Sequence, residues 1–185
     1  MASKKIDRNT ILEIAYQLFR TKGYSNTSMS DVANACGVFK SALYHYFLNK
    51  ETLMQEVIKW VHNLAKNDSL KKLRNKDIEP YKRLEDLFKV LRRIHIEEEG
   101  GCFFGNISLE TSSQNKTFRN LIKKYFTDYI ASFQSLFSEF YNSKEAKRLA
   151  IKAVQDIEGS LMLSRVYQDD SFVRNAHDQI RDYLP

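Results

Sequence analysis

Glycine and proline are scarce in this chain, which has only 6 Gly and 2 Pro among 185 residues. Because these two residues interrupt regular structure most strongly, their scarcity argues against a sheet with many turns and favours long helices. Apolar residues form 43% of the sequence, an ordinary value for a globular protein. A chain of this length can bury a stable core without cross-links.

Cysteine is also rare, and Cys36 and Cys102 are too far apart in sequence to match a metal-ligand spacing. We expect Cys36 to be a buried free thiol, because it falls at an apolar position of a helical pattern. Unpaired cysteines suit a reducing compartment. The first residues lack the apolar segment of a secretory signal, and no apolar run approaches the roughly 18 residues of a membrane span. We therefore expect a soluble, cytoplasmic protein with no membrane partner.

The side chains that enzymes and metal sites require are not grouped. The four histidines are scattered, at His45, His62, His95 and His177. The sequence contains no Ser/His/Asp arrangement, no glycine-rich phosphate loop and no paired metal ligands. It therefore predicts no catalytic residue, no metal site and no cofactor, and hence a protein that is not an enzyme.

The net charge is +6, and most of this excess lies in the first third of the chain. Residues 1–66 carry nine Lys and Arg against five Asp and Glu, whereas residues 67–185 carry 20 against 18. A basic amino-terminal segment is compatible with nucleic-acid binding.

A helical period recurs along nearly the whole chain, which predicts an all-α fold. The architecture we expect is three short helices, a connecting fourth helix and then a larger helical bundle. The predicted helices are three ending near Gly23, Cys36 and Phe47, one that Asn49 caps, one that Pro80 opens, one around Ile107, and others over 118–141, 143–167 and 171–184. Ser28 and Asp31 form a predicted capping box. The polar stretch 66–78 is typical of a frayed helix end and linker, and "EEEGG" at 97–101 predicts a helix stop.

A helix-turn-helix unit is predicted by the spacing of three residues. A steep helix crossing needs a small residue in the first helix, a residue that tolerates positive φ in the turn, and an apolar residue facing back from the second helix. Ala33, Gly37 and Leu43 meet these requirements in that order.

The outward face of the predicted second helix carries polar side chains that are suited to DNA. Lys meets guanine edges or phosphates, and Ser, Tyr and His donate to phosphate oxygens. Lys50 begins the next helix, and Ser28 begins the preceding one. The candidate DNA-contacting residues are Thr27, Ser28, Lys40, Ser41, Tyr44, His45 and Lys50. Taken singly, each residue fits an ordinary solvated surface equally well.

Residues 8–54 resemble the amino-terminal domain of the TetR family of bacterial transcriptional regulators. The resemblance runs through "ILEIAYQLFRTKGYSNTSMSDVANACGVFKSALYHYFLNKETLM". It implies a dimeric repressor whose three-helix head binds a palindromic operator in double-stranded DNA. It also implies that residues 1–50, with the start of the connecting helix 50–66, form the DNA-binding domain. Residues 67–185 would form a domain for binding a small-molecule effector and for forming the homodimer.

Phe39 departs from the family pattern, in which its position is often a small polar residue. A phenylalanine at the start of the recognition helix can pack on a thymine methyl group. It can equally lie against the head and touch no base.

The aromatic-rich region over 80–141 is the predicted effector pocket, because the resemblance implies a cavity there and apolar walls suit a small apolar or aromatic ligand. The candidate ligand-binding residues are Phe88, His95, Phe103, Phe104, Asn106, Tyr125 and Tyr129. Cys102 and Glu110 are further polar candidates. Each aromatic residue fits a plain core as well.

The last two predicted helices resemble a dimerisation pair. Small residues in mid-helix permit another helix to approach closely, and a mid-helix Gly costs about 1 kcal/mol against Ala, which suggests a packing role. The candidate dimerisation residues are Ile157, Gly159, Ser160 and Leu161. The alternative is that these residues pack only within one chain.

Two other functions remain open at this point. The chain can be a helical protein-interaction module without sequence-specific DNA binding. A DNA-binding regulator can also activate transcription instead of repressing it.

Overall fold

The computed structural model describes residues 6–97 and 100–185, and every regular element among them is helical. The predicted all-α fold is therefore confirmed. The α-helices in chain order are α1 (Arg8–Lys22), α2 (Met29–Ala35), α3 (Lys40–Tyr44), α4 (Lys50–Asn67), α5 (Ser69–Leu73), α6 (Pro80–Arg92), α7 (Phe103–Thr111), α8 (Lys116–Phe137), α9 (Ser143–Tyr167) and α10 (Ser171–Arg181). One π-helical turn, Arg93–Glu97, continues α6. None of the described helices is both long and apolar enough to cross a membrane.

Local signals explain where the amino-terminal helices begin and end. Ser28 and Asp31 form the predicted capping box, in which each side chain accepts a hydrogen bond from the other residue's backbone N–H. Asn49 accepts a hydrogen bond from Thr52 N at 2.8 Å, as predicted for the start of α4. Gly23 ends α1 with φ of 83°, a conformation that strains any residue with a Cβ. These boundaries follow from the residues beside them.

The described residues form two compact units, and neither is one continuous stretch of chain. The first contains the residues up to Asn63 together with Phe103–Ile122, and the second contains Leu64–Cys102 and Lys123–Pro185. The predicted domains, 1–50 with the start of the connecting helix 50–66 and then 67–185, do not include a return of the chain to the first unit. The contacts that cause this return join residues 64 to 87 positions apart, and no local sequence pattern predicts them.

The core of the first unit joins α1, α2, α3 and α4. Its buried apolar side chains include Ile11, Leu12, Ala15, Phe19, Val32, Ala33, Leu43, Phe47, Leu53 and Val57. Cys36 is a free thiol as predicted, but it is only partly buried. The reason is that α2 ends at Ala35, so Cys36 lies at the helix terminus and not on the buried face.

The second unit contains a helix where we predicted a linker. Within the stretch 66–78, α5 buries Leu70 and Leu73 almost completely. The two leucines are three residues apart, which is about one helical turn. The charged residues around them made the stretch look like a linker. The predicted helix stop at 97–101 lies partly outside the described residues.

An ion pair between a buried arginine and a partly exposed glutamate stabilises the second unit. Arg83 is only 1% exposed, and its guanidinium donates to both carboxylate oxygens of Glu139 at 2.7 and 2.8 Å. These hydrogen bonds lower the pKa of Glu139, although partial burial opposes the shift. The pair joins α6 to the turn that follows α8.

Removing one partner of this pair is expected to destabilise the protein strongly. In Glu139→Ala, the buried Arg83 guanidinium keeps its charge and its hydrogen bond to Leu73 O at 3.3 Å but loses the carboxylate, and we expect the free energy of unfolding to fall by about 1.5–3 kcal/mol. Urea denaturation followed by circular dichroism measures this change. Glu145→Ala removes an exposed ion pair with Arg148 and should change stability little. An equal effect of the two substitutions would contradict the assigned role of Arg83.

Candidate nucleic-acid interface

The helix-turn-helix unit consists of α2, α3 and the turn between them. Gly37 occupies the turn with φ of 65°, and its N–H donates to Asn34 O at 3.0 Å. Ala33 is 1% exposed and Leu43 is fully buried, so both residues lie on the inner side of the helix pair, as the spacing predicts.

The outer face of α3 is exposed. Lys40, Ser41, Tyr44 and His45 all project from the part of the helix that Leu43 does not bury. The Lys40 ammonium stands 5.9 Å from the centre of the Tyr44 ring, which keeps a cation and an aromatic donor together on this face. The structure thus brings together four of the predicted DNA-contacting side chains on one accessible surface.

Two large apolar residues flank this surface. Phe39 is 77% exposed, so it does not pack against the head, which was one of its two predicted positions. Leu48, in the turn before α4, is 78% exposed and was missed by sequence reasoning. No sequence signal distinguishes it, because the neighbouring Phe47 is just as apolar and is fully buried.

Thr27 requires a correction, because its side chain is not available to DNA. It is 1% exposed, and its hydroxyl donates to Gly23 O at 2.8 Å. A threonine next to a helix start can bond either outward or back into the preceding turn, and the sequence cannot distinguish the two. Here it closes the turn between α1 and α2.

The Lys50 ammonium is also engaged within the head. It donates to Tyr24 O at 2.9 Å and stands 4.3 Å from the centre of the Tyr24 ring. Tyr24 belongs to the turn between α1 and α2, 26 residues earlier in the chain. Lys50 therefore ties the start of α4 to this turn, and its other two N–H donors are the ones that the predicted contact with DNA would use.

Glu110 of α7 holds the same turn from the other side. Its carboxylate accepts hydrogen bonds from Tyr24 N at 2.9 Å and from Ser25 N at 2.6 Å. Burial opposes ionisation, but the bonds from Ser25 and Tyr24 prevail and lower the pKa of Glu110. A Cβ on Gly23 would lie 3.1 Å from the same carboxylate, so the glycine permits the close approach. Glu110 was a candidate ligand contact, and both its carboxylate oxygens bond the head instead.

Three further contacts bind α7 and the start of α8 to the head. Phe103 packs on Tyr16 with ring centres 5.3 Å apart, and Phe118 packs on Tyr24 at 5.2 Å. Asn115 donates from its side chain to Glu51 at 3.0 Å. The segment from Phe103 to Ile122 is thus part of the body that carries the helix-turn-helix.

The predicted ligand-binding residues are divided between the two units. Phe103, Phe104 and Asn106 lie on α7 in the first unit, where Phe103 contacts both Tyr16 and Phe104. The others belong to the second unit and are Phe88, His95, Tyr125 and Tyr129. Of these, Tyr125 and Tyr129 are in contact, with ring centres 5.7 Å apart.

Phe88 borders an open groove of about 490 Å³ between α6 and α10. Its ring stacks on the buried His177 ring with centres 3.9 Å apart. Burial, followed by the nearby Arg181 and Arg92, lowers the pKa of His177 to about 4, so this ring is neutral at physiological pH. Phe88 is 2% exposed and packs as a core residue of the second unit.

The dimerisation set needs a correction on α9. Ile157 and Leu161 are 1% and 5% exposed, so they pack within their own chain. Gly159 and Ser160 border a surface depression of about 380 Å³ between α9 and α10. The exposed apolar residues of α9 are Met162, Leu163, Val166 and Tyr167, and none of them is among the four candidate dimerisation residues. Both faces of this helix are apolar, so periodicity alone did not separate the inner from the outer face.

Two family models match this sequence. The model described as bacterial regulatory proteins of the tetR family matches residues 11–57. The model of the carboxy-terminal domain of LmrA/YxaF-like transcriptional regulators matches residues 80–179. Together they span both the helix-turn-helix and most of the second half of the chain.

Curated proteins similar to this chain have related descriptions. An uncharacterised HTH-type transcriptional regulator of Lactococcus lactis is 26% identical over 181 residues, covering 94% of this chain and 92% of that protein. The uncharacterised regulator YxaF of Bacillus subtilis is 26% identical over 184 residues, covering 97% and 96%. The transcriptional repressor DhaR of a Mycobacterium strain is 25% identical over 141 residues, covering 76% and 70%.

Solved structures share the fold over nearly the whole length. A TetR transcriptional regulator from Legionella pneumophila superposes with a TM-score of 0.89 at 22% identity, covering 98% of this chain and all of that one. The reduced form of Escherichia coli NemR superposes with a TM-score of 0.81 at 16% identity, covering 95% of each chain. At such identities the likeness concerns the fold alone.

Proposed function

We propose that this chain, which belongs to the TetR family of bacterial regulatory proteins, is an effector-responsive repressor. It would bind a palindromic operator as a homodimer. The observation that carries the DNA-binding part is the accessible polar face of α3, formed by Lys40, Ser41, Tyr44 and His45. Ser28 at the start of α2 and Phe39 just before α3 are also exposed, and we propose that they contact the DNA too. Repression is supported by the description of the similar protein DhaR as a repressor.

Dimerisation is supported by the exposed apolar strip on α9. Met162, Val166 and Tyr167 are 57%, 71% and 65% exposed in the single chain, and Tyr167 packs on Phe172 of α10. An isologous pairing of α9 and α10 from two chains would bury this strip. Such a dimer presents two recognition helices about 34 Å apart, which is one turn of B-DNA.

The proposed effector is a small apolar or aromatic molecule. The support comes from a ladder of aromatic rings along α8, in which Tyr125, Tyr129, Phe133 and Phe137 follow one another with centres 5.4 to 5.9 Å apart. Release of the operator requires that the effector bind the DNA-competent and the released states with different affinity.

The first experiment is selection of bound fragments from random duplex DNA at two salt concentrations. An inverted repeat, bound with an affinity that falls steeply as salt rises, is the expected result. Weak and uniform binding to all sequences would instead indicate a helical interaction module and would overturn the operator proposal.

Lys40→Ala tests the recognition face directly. We expect it to weaken binding to the selected operator roughly tenfold, because Lys40 supplies a phosphate or guanine contact worth about 1–3 kcal/mol. If the contact is to phosphate, the slope of log affinity against log salt also falls by about one. Fluorescence anisotropy with labelled operator measures both quantities.

The matched control is Lys82→Ala, which removes the same charge from an exposed position of the second unit. It should leave operator affinity nearly unchanged. Equal losses in the two variants would show that Lys40 acts only through net charge, and no loss in either would remove α3 from the interface.

A further inference from the structure

Three polar groups lie near one another in the second unit: Cys102 and Tyr129, which are buried, and Glu158, which is partly buried. The Cys102 thiol donates to Glu158 Oε1 at 3.2 Å, and Cys102 is 6% exposed. Tyr129 is 1% exposed, and burial, followed by the nearby Glu158 and Cys102, raises the pKa of its hydroxyl well above the ordinary value. Glu158 lies on α9 and Tyr129 on α8, so the cluster forms only in the folded unit.

The hydrogen bonding of this cluster is incomplete. The Tyr129 hydroxyl has no hydrogen-bond partner within the described residues, although it is almost fully buried. Buried polar groups are nearly always paired, and an unpaired one opposes folding. A hydroxyl in this situation is typical of a position where another molecule supplies the missing partner.

Glu158 lacks a cation. Its hydrogen bond is with the Cys102 thiol, and no ion pair in the described part of the chain includes it. Burial raises the pKa of Glu158 to about 7, so near neutral pH its carboxyl exchanges readily between the charged and uncharged forms. A bound cation would favour the carboxylate and offset the cost of burying it.

The surroundings of these groups are aromatic. Tyr129 stands between Tyr125 and Phe133 in the ladder along α8, with ring centres 5.7 and 5.4 Å away. Phenolic and phenyl rings attract a cation through their faces and also pack against flat apolar molecules. The cluster therefore combines an acceptor for a positive charge with walls for an aromatic body.

We infer that Glu158 and Tyr129 form a binding site for an aromatic cation that carries N–H groups, and that such a molecule is the effector. The N–H groups of the cation donate to the Glu158 carboxylate and to the Tyr129 oxygen, while its aromatic part packs along Tyr125 and Phe133. A neutral hydroxylated ligand would satisfy Tyr129 but leave the carboxylate without an opposite charge. This inference rests on the proposed effector-responsive function and specifies its ligand.

The test compares 9-aminoacridine, which is cationic near neutral pH, with acridine, which is neutral in the same buffer. Fluorescence titration of the full-length protein gives the dissociation constant of each probe. We expect the wild-type protein to prefer 9-aminoacridine by about tenfold or more, as befits a charge-assisted hydrogen bond in a buried site. Glu158→Gln should abolish this preference, and Tyr129→Phe should reduce it about threefold or more.

Glu145→Gln is the matched control, because it removes the same charge from an exposed glutamate of the same helix and should leave both dissociation constants unchanged. Circular dichroism establishes that each variant is folded. Equal affinity of the wild-type protein for the two probes, binding of neither, or an unchanged preference in Glu158→Gln would overturn the site.

Measuring operator binding with and without the probe distinguishes failure of this ligand site from failure of the proposed function. We expect 9-aminoacridine to release the selected operator from the wild-type protein but not from Glu158→Gln, while both proteins bind the operator equally without the probe. Glu158-dependent probe binding that leaves the operator bound would overturn the effector role. Glu158-dependent probe binding by a wild-type protein that recognises no operator would overturn the proposed function and retain the site.

Discussion

Replacing Glu110 by Gln is expected to weaken operator binding about tenfold, although residue 110 lies far along the chain from the recognition helix. The carboxylate accepts the backbone N–H groups of Tyr24 and Ser25 together. A glutamine has one acceptor oxygen, so its NH₂ group would face the second N–H donor. The loss of a charge-assisted bond costs about 1.5–3 kcal/mol, and it falls on the turn that leads into Ser28 and α2. Fluorescence anisotropy with the selected operator, at one fixed salt concentration, measures the change.

Glu13→Gln provides the control for Glu110→Gln. Glu13 is an exposed residue of α1, so its substitution changes the net charge of the same unit by the same amount. We expect operator affinity to stay within about twofold of the wild type in this control, since exposed charges away from a contact contribute little. Similar losses in both variants would mean that Glu110 acts through its charge and not by holding the turn.

The pH dependence of stability gives Glu110 a second signature. Its pKa is lowered in the folded protein, so its stabilising contribution is complete above the ordinary Glu pKa of about 4.3 and disappears as pH falls through the lower folded value. The difference in the free energy of unfolding between wild type and Glu110→Gln should therefore be largest near neutral pH and shrink below about pH 4. A difference that grows on acidification would contradict the two hydrogen bonds.

Val166→Glu is expected to convert the proposed homodimer to a monomer and to lower operator affinity on the order of 100-fold or more. Val166 is 71% exposed in the single chain and lies in the apolar strip on α9, where a pair of buried glutamates would face each other in an isologous dimer. A monomer binds one half-site and loses the gain that comes from linking two binding events, which is about 10²–10⁴-fold. Sedimentation velocity measures the oligomeric state, and anisotropy measures the affinity.

Leu109→Glu is the control for oligomeric state. Leu109 is 85% exposed on α7, so the same kind of substitution is made at an equally apolar and accessible position of the first unit. This variant should remain a dimer. A Val166→Glu protein that still sediments as a dimer would remove the strip on α9 from the interface, and a monomer with full operator affinity would refute the need for two heads.

Composition predicted an aromatic-rich ligand region but not how its residues are arranged. Its aromatic richness was visible in the sequence, but the seven candidate residues turned out to belong to two different units. Glu158 was missed because a lone glutamate in a long amphipathic helix has the same pattern as a surface residue. Only the positions of Cys102 and Tyr129 relative to it reveal a buried carboxyl.

The amino-terminal helices and the helix-turn-helix were determined by the sequence itself. Their signals are local: a cap lies three residues from its partner at Ser28 and Asp31, and a glycine ends a helix at Gly23. Ala33 and Leu43 likewise act across one short turn. Each of these signals involves residues only a few positions apart, so the sequence contains all the groups that decide where a helix begins or ends.

The hydrogen-bond partners of the site residues depend on the tertiary fold and could not be predicted from the sequence. Thr27 bonds inward, Lys50 bonds Tyr24, and Glu110 reaches the head from 85 residues along the chain. In α9 the core takes Ile157 and leaves Val166 exposed, although both are apolar. Each choice depends on which groups the fold brings within about 3 to 4 Å, where hydrogen bonds and apolar contacts act. Spacing along the chain does not contain that information.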